Sequence, residues 1–576
     1  MVFDILFKSG FFSNLDFYFA KTISKIAKEN NPIIFLSLAL TSRAVSKGHV
    51  CFDIKEYAGK SINETGLEQD IILPQFHDWI KALKKSKIAG NRCDFPLVYD
   101  LKSRLYLAKY YDFQQRLIKN IIKRINLNTD NMFKNKEIFK NHDLFFNEKN
   151  KNNEISKGII NQNNAIKNAI LKKISIISGG PGTGKTFITK KIIKLLNKQA
   201  DFLSVPNPVI ISMAPTGKAA SKLENGFTIH RALGALKNTT GFKYNLSNQL
   251  VCDVVIVDEA SMIDIALMTR LLEAVPLNAK LIMLGDKNQL ASVETGAVFG
   301  DICRADKISD IITNLNYNFR SKGKTGIDKL AQSINNGDFQ TLEKLLTKKT
   351  QPIQKDYNDI SFIEIKDKSN FSEKIKHQII SGYLPFLKEI EPKKVLKSFN
   401  DFKILCAHKK GVFGVEHFNL IAEKVLSQHL QKLNIKNKFF KIPVMIKTND
   451  YNKGLFNGDI GVCLKLKNNK IRVVFNDENN NNNMENLKYF KFSQLPDFDN
   501  AFAITVHKSQ GSEFDNVLVV IPDKLSPVLT RELLYTSVTR AKKSVTILGK
   551  IDVIKKAVLI PVKRSSGITD FLNDEL

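Results

Sequence analysis

With 576 residues, 43% of them hydrophobic, the chain has room for roughly three to five domains of ~100–200 residues, each with a core of its own. Its 87 Lys+Arg against 57 Asp+Glu leave a formal net charge of +30. That balance favours a polyanionic partner, nucleic acid above all, although an AT-rich coding bias toward lysine and asparagine gives the same count. The six cysteines lie far apart with no C-x-x-C pair, which suggests neither a zinc site nor an iron–sulfur cluster and points to a reducing compartment. No apolar run approaches the ~20 residues of a membrane helix, and the start MVFDILFKSGFF lacks the basic n-region of a signal peptide. A cytoplasmic protein without a membrane partner is expected.

Residues 1–115 read as a mainly helical docking domain. Apolar residues recur at helical spacing over 11–28, and 32–45 (PIIFLSLALTSRAV) reads as a buried helix. A further helix is expected over 74–83, and a short hairpin from 96–99 and 105–107. No cluster of titratable residues suggests chemistry here, so this segment is expected to be separable from the rest. Residues 116–158 read as an Asn/Lys-rich linker. Over 159–309, short apolar strands at 174–177, 209–213, 254–257 and 280–284 alternate with helices, the pattern of a parallel sheet covered on both faces. A second α/β lobe is expected over 310–576. Inside it, about 437–497 changes character to the strand-like PVMIKTND, GDIGVCLKL and KIRVVF, a small β insertion whose asparagine tract at 479–483 reads as a loop tip.

The stretch ISIISGGPGTGKTFIT (174–189) runs strand, G-x-x-x-x-G-K-T, helix, the context that a phosphate-binding loop requires. Gly179, Gly180, Pro181, Gly182, Thr183 and Gly184 let consecutive backbone N–H groups wrap a polyphosphate at a helix N-terminus. Lys185 would neutralise the β- and γ-phosphates of ATP, and the Thr186 hydroxyl would ligate Mg²⁺. A second strand ends in Asp258-Glu259, placing carboxylates in the crevice at the carboxyl end of a parallel sheet. Asp258 would hold the Mg²⁺ shell, and Glu259 would polarise the attacking water. After the next strand, Gln289 brings an uncharged hydrogen-bonding side chain toward the γ-phosphate.

Seven motifs occur in order: GGPGTGKT (179–186), APTGKAASKL (214–223), TIHRALG (228–234), VDEASMID (257–264), GDKNQLASVETGAVFGDI (285–302), VHKSQGSEFD (506–515) and LYTSVTRAK (534–542). Together they resemble the motif set of superfamily 1 helicases. The wording is closest to the RecD family of superfamily 1B, the alpha subunits of exonuclease V. KGHVCF (47–52), PLVYDLKSRLYLAKYYDFQQRL (96–117), GVFGVEHFN (411–419) and PVMIKTNDYNKGLFNGDIG (443–461) extend the likeness beyond the ATPase.

The resemblance implies two RecA-like P-loop lobes and an SH3-like form for the β insertion. It implies that Gln162 recognises adenine, that Arg320 reaches the γ-phosphate, and that Arg540 is the arginine finger. Two cations from the opposing side make hydrolysis conditional on lobe closure. It further implies strand contacts by Thr216, His230, Thr505 and His507. The activity implied is ATP-dependent 5′ to 3′ translocation on single-stranded DNA at duplex ends, in a heterotrimer with RecB and RecC. Three other readings stand beside it: a P-loop switch or AAA-like protein that does not translocate, a standalone RecD-like or RNA helicase, and a nuclease built on Asp359 and Glu364-Ile365-Lys366. For that last set, a solvated strand edge is the plainer account.

Overall fold

The computed structural model describes residues 2–62, 71–127, 154–236, 239, 241–321, 325–347, 357–365, 368–432, 441–450, 452–466, 469–477 and 487–575. Most of the expected linker, and the asparagine tract at 479–483, lie outside them. Among the described residues, no helix is long and apolar enough to cross a membrane.

The first lobe is a six-stranded, all-parallel sheet in the order Ile312–Leu315, Ile174–Gly179, Lys280–Gly285, Val254–Val257, Ile210–Ala214, Phe227–Thr228. Its central strands are buried throughout, which is why they read as unbroken apolar runs rather than as an alternation. Val255 and Val257 face one core with helix Ile265–Ala274, whereas Val254 and Ile256 face another with helices Glu154–Leu171 and Lys185–Phe202. The second lobe is a five-stranded parallel sheet, Ile360–Glu364, Ala541–Gly549, Phe514–Val520, Phe402–Cys406, Ala503–Thr505. The β insertion is a five-stranded antiparallel sheet in the order Leu487–Phe490, Ile471–Asn476, Ile460–Lys465, Ile442–Ile446, Phe498–Asn500, with a core of its own.

Helices carry the N-terminal domain as expected, joined by a four-stranded sheet that includes the expected hairpin, Leu97–Tyr99 against Arg104–Leu107. Helix Asn14–Ala27 opens on a capping box between Ser13 and Asp16, and helix Pro32–Ser46 opens on Asn31 with proline at its first turn, both strong start signals. Asp359, the first residue of the nuclease reading, accepts from the amides of Gly326 and Ile327 at 3.0 and 2.9 Å. That is a helix-capping role.

The structure moves three of the expected boundaries. Helix Ala108–Asn126 runs straight through residue 115, and its Phe113, Leu117, Ile118 and Ile121 belong to the core of the first lobe. At its end the fully buried Arg124 donates to the main-chain carbonyls of Leu272, Val275, Pro276 and Ala279, and to Asn120 Oδ1, at 2.6–3.2 Å. These carbonyls close the exposed end of helix Ile265–Ala274, where the helix dipole is negative. Burial pulls the guanidinium down to about 10, so it stays charged at neutral pH without a carboxylate. Strand Ile312–Leu315 pairs with Ile174–Gly179, so the first lobe extends past residue 309.

The tail also returns. Arg564 donates to Glu294 O at 2.6 Å, Ser566 Oγ to Asp301 Oδ2 at 2.6 Å, and Arg104 to Asp570 at 2.5 Å. Ile568 and Leu572 enter the first lobe's core. The second lobe therefore ends near residue 560 rather than at 576. Composition hid both segments, because an amphipathic helix studded with lysines and a polar tail look solvated until a partner surface exists.

Candidate active site

The phosphate-binding loop leaves its strand at Gly179 and enters helix Lys185–Phe202 through Gly184, which lies in the left-handed region at φ 92°. Gly182 is left-handed as well, and a Cβ there would sit 2.1 Å from Asn318 Oδ1, so glycine is required on both counts. The helix has no acidic residue in its first turn, which leaves its positive end available to an anion. Lys185 Nζ donates to the carbonyls of Gly179 and Gly180 at 2.5 and 3.2 Å, and Thr183 Oγ1 donates to Gly180 O at 2.8 Å.

Gly180, Pro181, Gly182, Gly184, Lys185, Thr186, Asp258, Glu259, Gln289, Arg320 and Arg540 line one cleft of about 440 Å³. That volume is within the ~300–1,000 Å³ usual for small-molecule sites. Gly179 and Thr183 are the buried members of the loop and do not line the cleft. Gln162 is placed behind the loop: its buried amide donates to Thr183 O at 2.8 Å and packs on Gly184. In this arrangement it braces the loop instead of facing the cleft.

Burial, and then the neighbouring Glu259 carboxylate, push Asp258 up to about 6, with Lys185 and the Glu259 amide pulling the other way. Glu259 is a non-glycine residue with φ 52°, a conformation that costs of order 1 kcal/mol and collects at functional sites. A desolvated carboxylate crowded by a second one, in the same cleft as the Thr186 hydroxyl, is the environment that a divalent cation neutralises.

The second lobe closes the cleft. Arg540 is 2% exposed, with Nε on Thr536 O at 3.2 Å and Nη1 on Ser512 O at 3.1 Å. Among the described residues its buried Nη2 has no hydrogen-bond partner. Arg320 Nη2 donates to both oxygens of Glu513 at 2.9 and 2.7 Å. Burial works to raise Glu513, but Arg320, Lys222 and Arg540 outweigh it and hold the carboxyl below its ordinary value. Lys222 Nζ crosses from the first lobe to Gly511 O at 2.6 Å. Glu513 and Lys222 were legible as motif letters, but no spacing rule could have given them roles.

The four expected strand contacts are more dispersed. Thr216 Oγ1 caps helix Gly217–Ala220 by accepting from Ala219 N at 3.2 Å, and it lies close to Gly511 of the second lobe. His230 is exposed on helix Ile229–Leu233 beside Phe242. Both flank a crevice lined by Lys218, Thr228 and Arg231 of the first lobe and by Phe456 and Lys488 of the β insertion. Thr505 ends the edge strand Ala503–Thr505 and His507 follows it; both are half-buried and neither lines that crevice.

If Lys185 faces phosphate, Lys185→Gln should lower DNA-stimulated ATP turnover by about 10²-fold or more, the cost of removing one preorganised charge partner. The thermal melt should stay close to that of the unaltered chain. Undiminished turnover in this variant refutes the assignment of the loop.

A family model for the N-terminal domain of the RecBCD enzyme subunit RecD matches residues 8–106. An AAA domain model matches 162–295, and a UvrD-like helicase C-terminal domain matches 500–548. The RecBCD enzyme subunit RecD of Mycolicibacterium smegmatis is 29% identical over 579 residues, covering 96% of each chain. The ATP-dependent RecD2 DNA helicase of Deinococcus radiodurans is 28% identical over 377 residues, which cover 64% of this chain and 46% of that relative. The RecBCD enzyme subunit RecD of Buchnera aphidicola subsp. Acyrthosiphon pisum is 30% identical over 606 residues, covering 93% of this chain and 94% of its own. Identity at that level along nearly the whole of both chains, with the nucleotide cleft and the helicase domain in place, means that this chain belongs to the RecD family of ATP-dependent helicases.

Proposed function

We propose that the chain hydrolyses ATP in the cleft between its lobes and uses the cycle to move 5′ to 3′ along single-stranded DNA, entering at duplex ends. We place it as one motor of a heterotrimer with RecB and RecC, in the cytoplasm, serving double-strand break repair, recombination and degradation of linear DNA. The observation that carries the reading is one cleft faced by Lys185, Asp258 and Glu259 of the first lobe and by the unpartnered Nη2 of Arg540 from the second. A cation poised opposite the phosphate loop stabilises charge on the transferring phosphoryl group only when both lobes are present.

Residue roles follow from position. Lys185 and the loop amides hold the β- and γ-phosphates, Glu259 orients the attacking water, and Gln289 reports the γ-phosphate. Arg320 and Arg540 meet the developing charge, and Gln162 reads adenine by turning out from under the loop. Thr186 and Asp258 would hold Mg²⁺, which when bound neutralises charge between the phosphate oxygens. On the strand side, Thr216, His230, Thr505 and His507 supply hydroxyls and imidazoles suited to sequence-independent contact with a backbone.

A partner subunit has a face to bind: helix Asn14–Ala27 presents Leu15, Tyr18 and Ile26 to solvent, 69%, 55% and 76% exposed. Relatives named RecD align end to end with this chain, whereas RecD2 aligns over less than half of its own length. That contrast favours the complex subunit over a standalone helicase, and co-purification with RecB and RecC tests it. If the +30 charge serves strand tracking, affinity for single-stranded DNA should fall with salt at a log–log slope of about −0.7 per phosphate neutralised. A flat salt dependence would assign the lysines to coding bias.

A further inference from the structure

Lobe 2 grips the 286–290 turn of the first lobe at three points. Tyr535 OH donates to Asp286 Oδ2 at 3.1 Å, Thr536 Oγ1 accepts from Leu290 N at 3.0 Å, and Gln510 Nε2 donates to Leu290 O at 2.8 Å. Asp286 is 2% exposed, and it also accepts from Gln289 Nε2 at 3.0 Å and from Asn288 N at 3.0 Å. The Tyr535 hydroxyl abuts the phosphate loop as well: a Cβ on Gly180 would lie 2.8 Å from it.

We propose that Tyr535 is a positioning residue that links the state of the phosphate loop to the placement of Arg540. This rests on the ATP-cleft reading above. The contacts form a continuous path. Lys185 Nζ holds the carbonyls of Gly179 and Gly180, and a phosphate that draws the ammonium toward itself releases them. Gly180 then shifts against the Tyr535 hydroxyl, whose other neighbours are Asn335 and the buried Asp286 that fixes Gln289. Tyr535 sits on helix Arg531–Val538, and the next residue, Thr536, takes the Arg540 Nε hydrogen bond. A change at the loop is thus carried one residue along the helix to the finger. Burial, with the Asp286 carboxylate adding to it, keeps the phenol protonated far above neutral pH, so the hydroxyl is a donor throughout the working range. The path uses a hydroxyl where an apolar ring would pack equally well, and that makes it testable by removing one oxygen.

Tyr535→Phe in the full chain, assayed by ATP titration with saturating single-stranded DNA and by thermal melt, tests the proposal beside Lys185→Gln. The expected result is a kcat lowered by on the order of 10²-fold, the scale of a small misplacement of a catalytic group. KM for ATP should stay within ~3-fold and the melt should be unchanged, as for an interaction made only in the transition state. Unaltered kcat in Tyr535→Phe overturns the proposal, and so does a loss of kcat that tracks a fall in melting temperature. If Lys185→Gln itself turns over normally, the cleft reading fails instead, and the two failures are told apart within the one assay.

Discussion

Replacing Arg540 with alanine should leave nucleotide binding near its unaltered level and cut DNA-stimulated turnover by about 10³-fold or more, the loss usual for an arginine finger. The structure gives the reason for the split. Two of the guanidinium nitrogens are committed to the carbonyls of Thr536 and Ser512, whereas Nη2 is buried with no partner among the described residues. The committed nitrogens hold the side chain across the cleft, and the third is free for a charge that develops only during transfer. Because alanine also leaves a void and two unpaired carbonyls, Arg540→Lys is the companion variant. It keeps one charge but not the planar fork, and it should recover the fold without recovering the rate. The check is equilibrium binding of a fluorescent nucleotide beside steady-state hydrolysis. If binding and turnover fall in proportion in both variants, Arg540 serves the fold and the finger lies elsewhere.

A chain that begins at residue 150 should fail to fold. The sequence places the engine's start at residue 159 and makes the preceding segment a detachable module, but helix Ala108–Asn126 is part of the motor's first core. Removing it uncovers the partners of Phe113, Leu117, Ile118 and Ile121. At about 1.5–3 kcal/mol for each buried side chain, the loss approaches the ~5–15 kcal/mol that stabilises a whole domain. It also strips Arg124 from the carbonyls at the end of helix Ile265–Ala274. Circular dichroism should show no cooperative melt, and ATPase activity should be absent. A soluble, DNA-stimulated ATPase starting at 150 would sink this account and restore the modular one.

The parts legible in the sequence are those whose chemistry sits on contiguous residues. The phosphate loop needs glycine, lysine and threonine at fixed offsets, and a strand ending in Asp258-Glu259 announces itself wherever a P-loop precedes it. The alternation of buried strands and helices gave the first lobe's parallel sheet for the same reason: the period is local. What could not be read was made by pairing across distance. Tyr535 meets Asp286 and Arg320 meets Glu513 only once two lobes have folded and docked, and no window along the chain contains both members. Gln162 shows the limit of a resemblance. The resemblance assigns Gln162 to adenine, yet its amide is engaged with Thr183 O under the loop, a contact that no motif specifies. The boundaries at 115, 309 and 576 failed for a third reason. Surface-like composition describes a segment alone, whereas helix Ala108–Asn126 and the tail acquire their burial from elements far away in the chain.

The returning tail also constrains how the two lobes can move against each other. The chain enters the second lobe after Leu315 and leaves it between Val562, whose amide is held by Glu532 of that lobe, and Arg564, which is bound to the first. A body joined to its neighbour by two chain crossings has its turning axis along the line between them once the side-chain contacts between the lobes release, so the second lobe is built as a trunnion-mounted jaw rather than a bead on a string. One of its two bearings lies against the phosphate loop itself, where Phe319 N donates to Gly182 O at 2.9 Å and Asn318 packs on Gly182. A force applied beside a bearing acts on a short lever arm, so a small displacement there sweeps the far rim of the jaw through a longer arc. On the proposed reading, a ligand in the cleft would act beside that bearing, at the point of greatest mechanical gain.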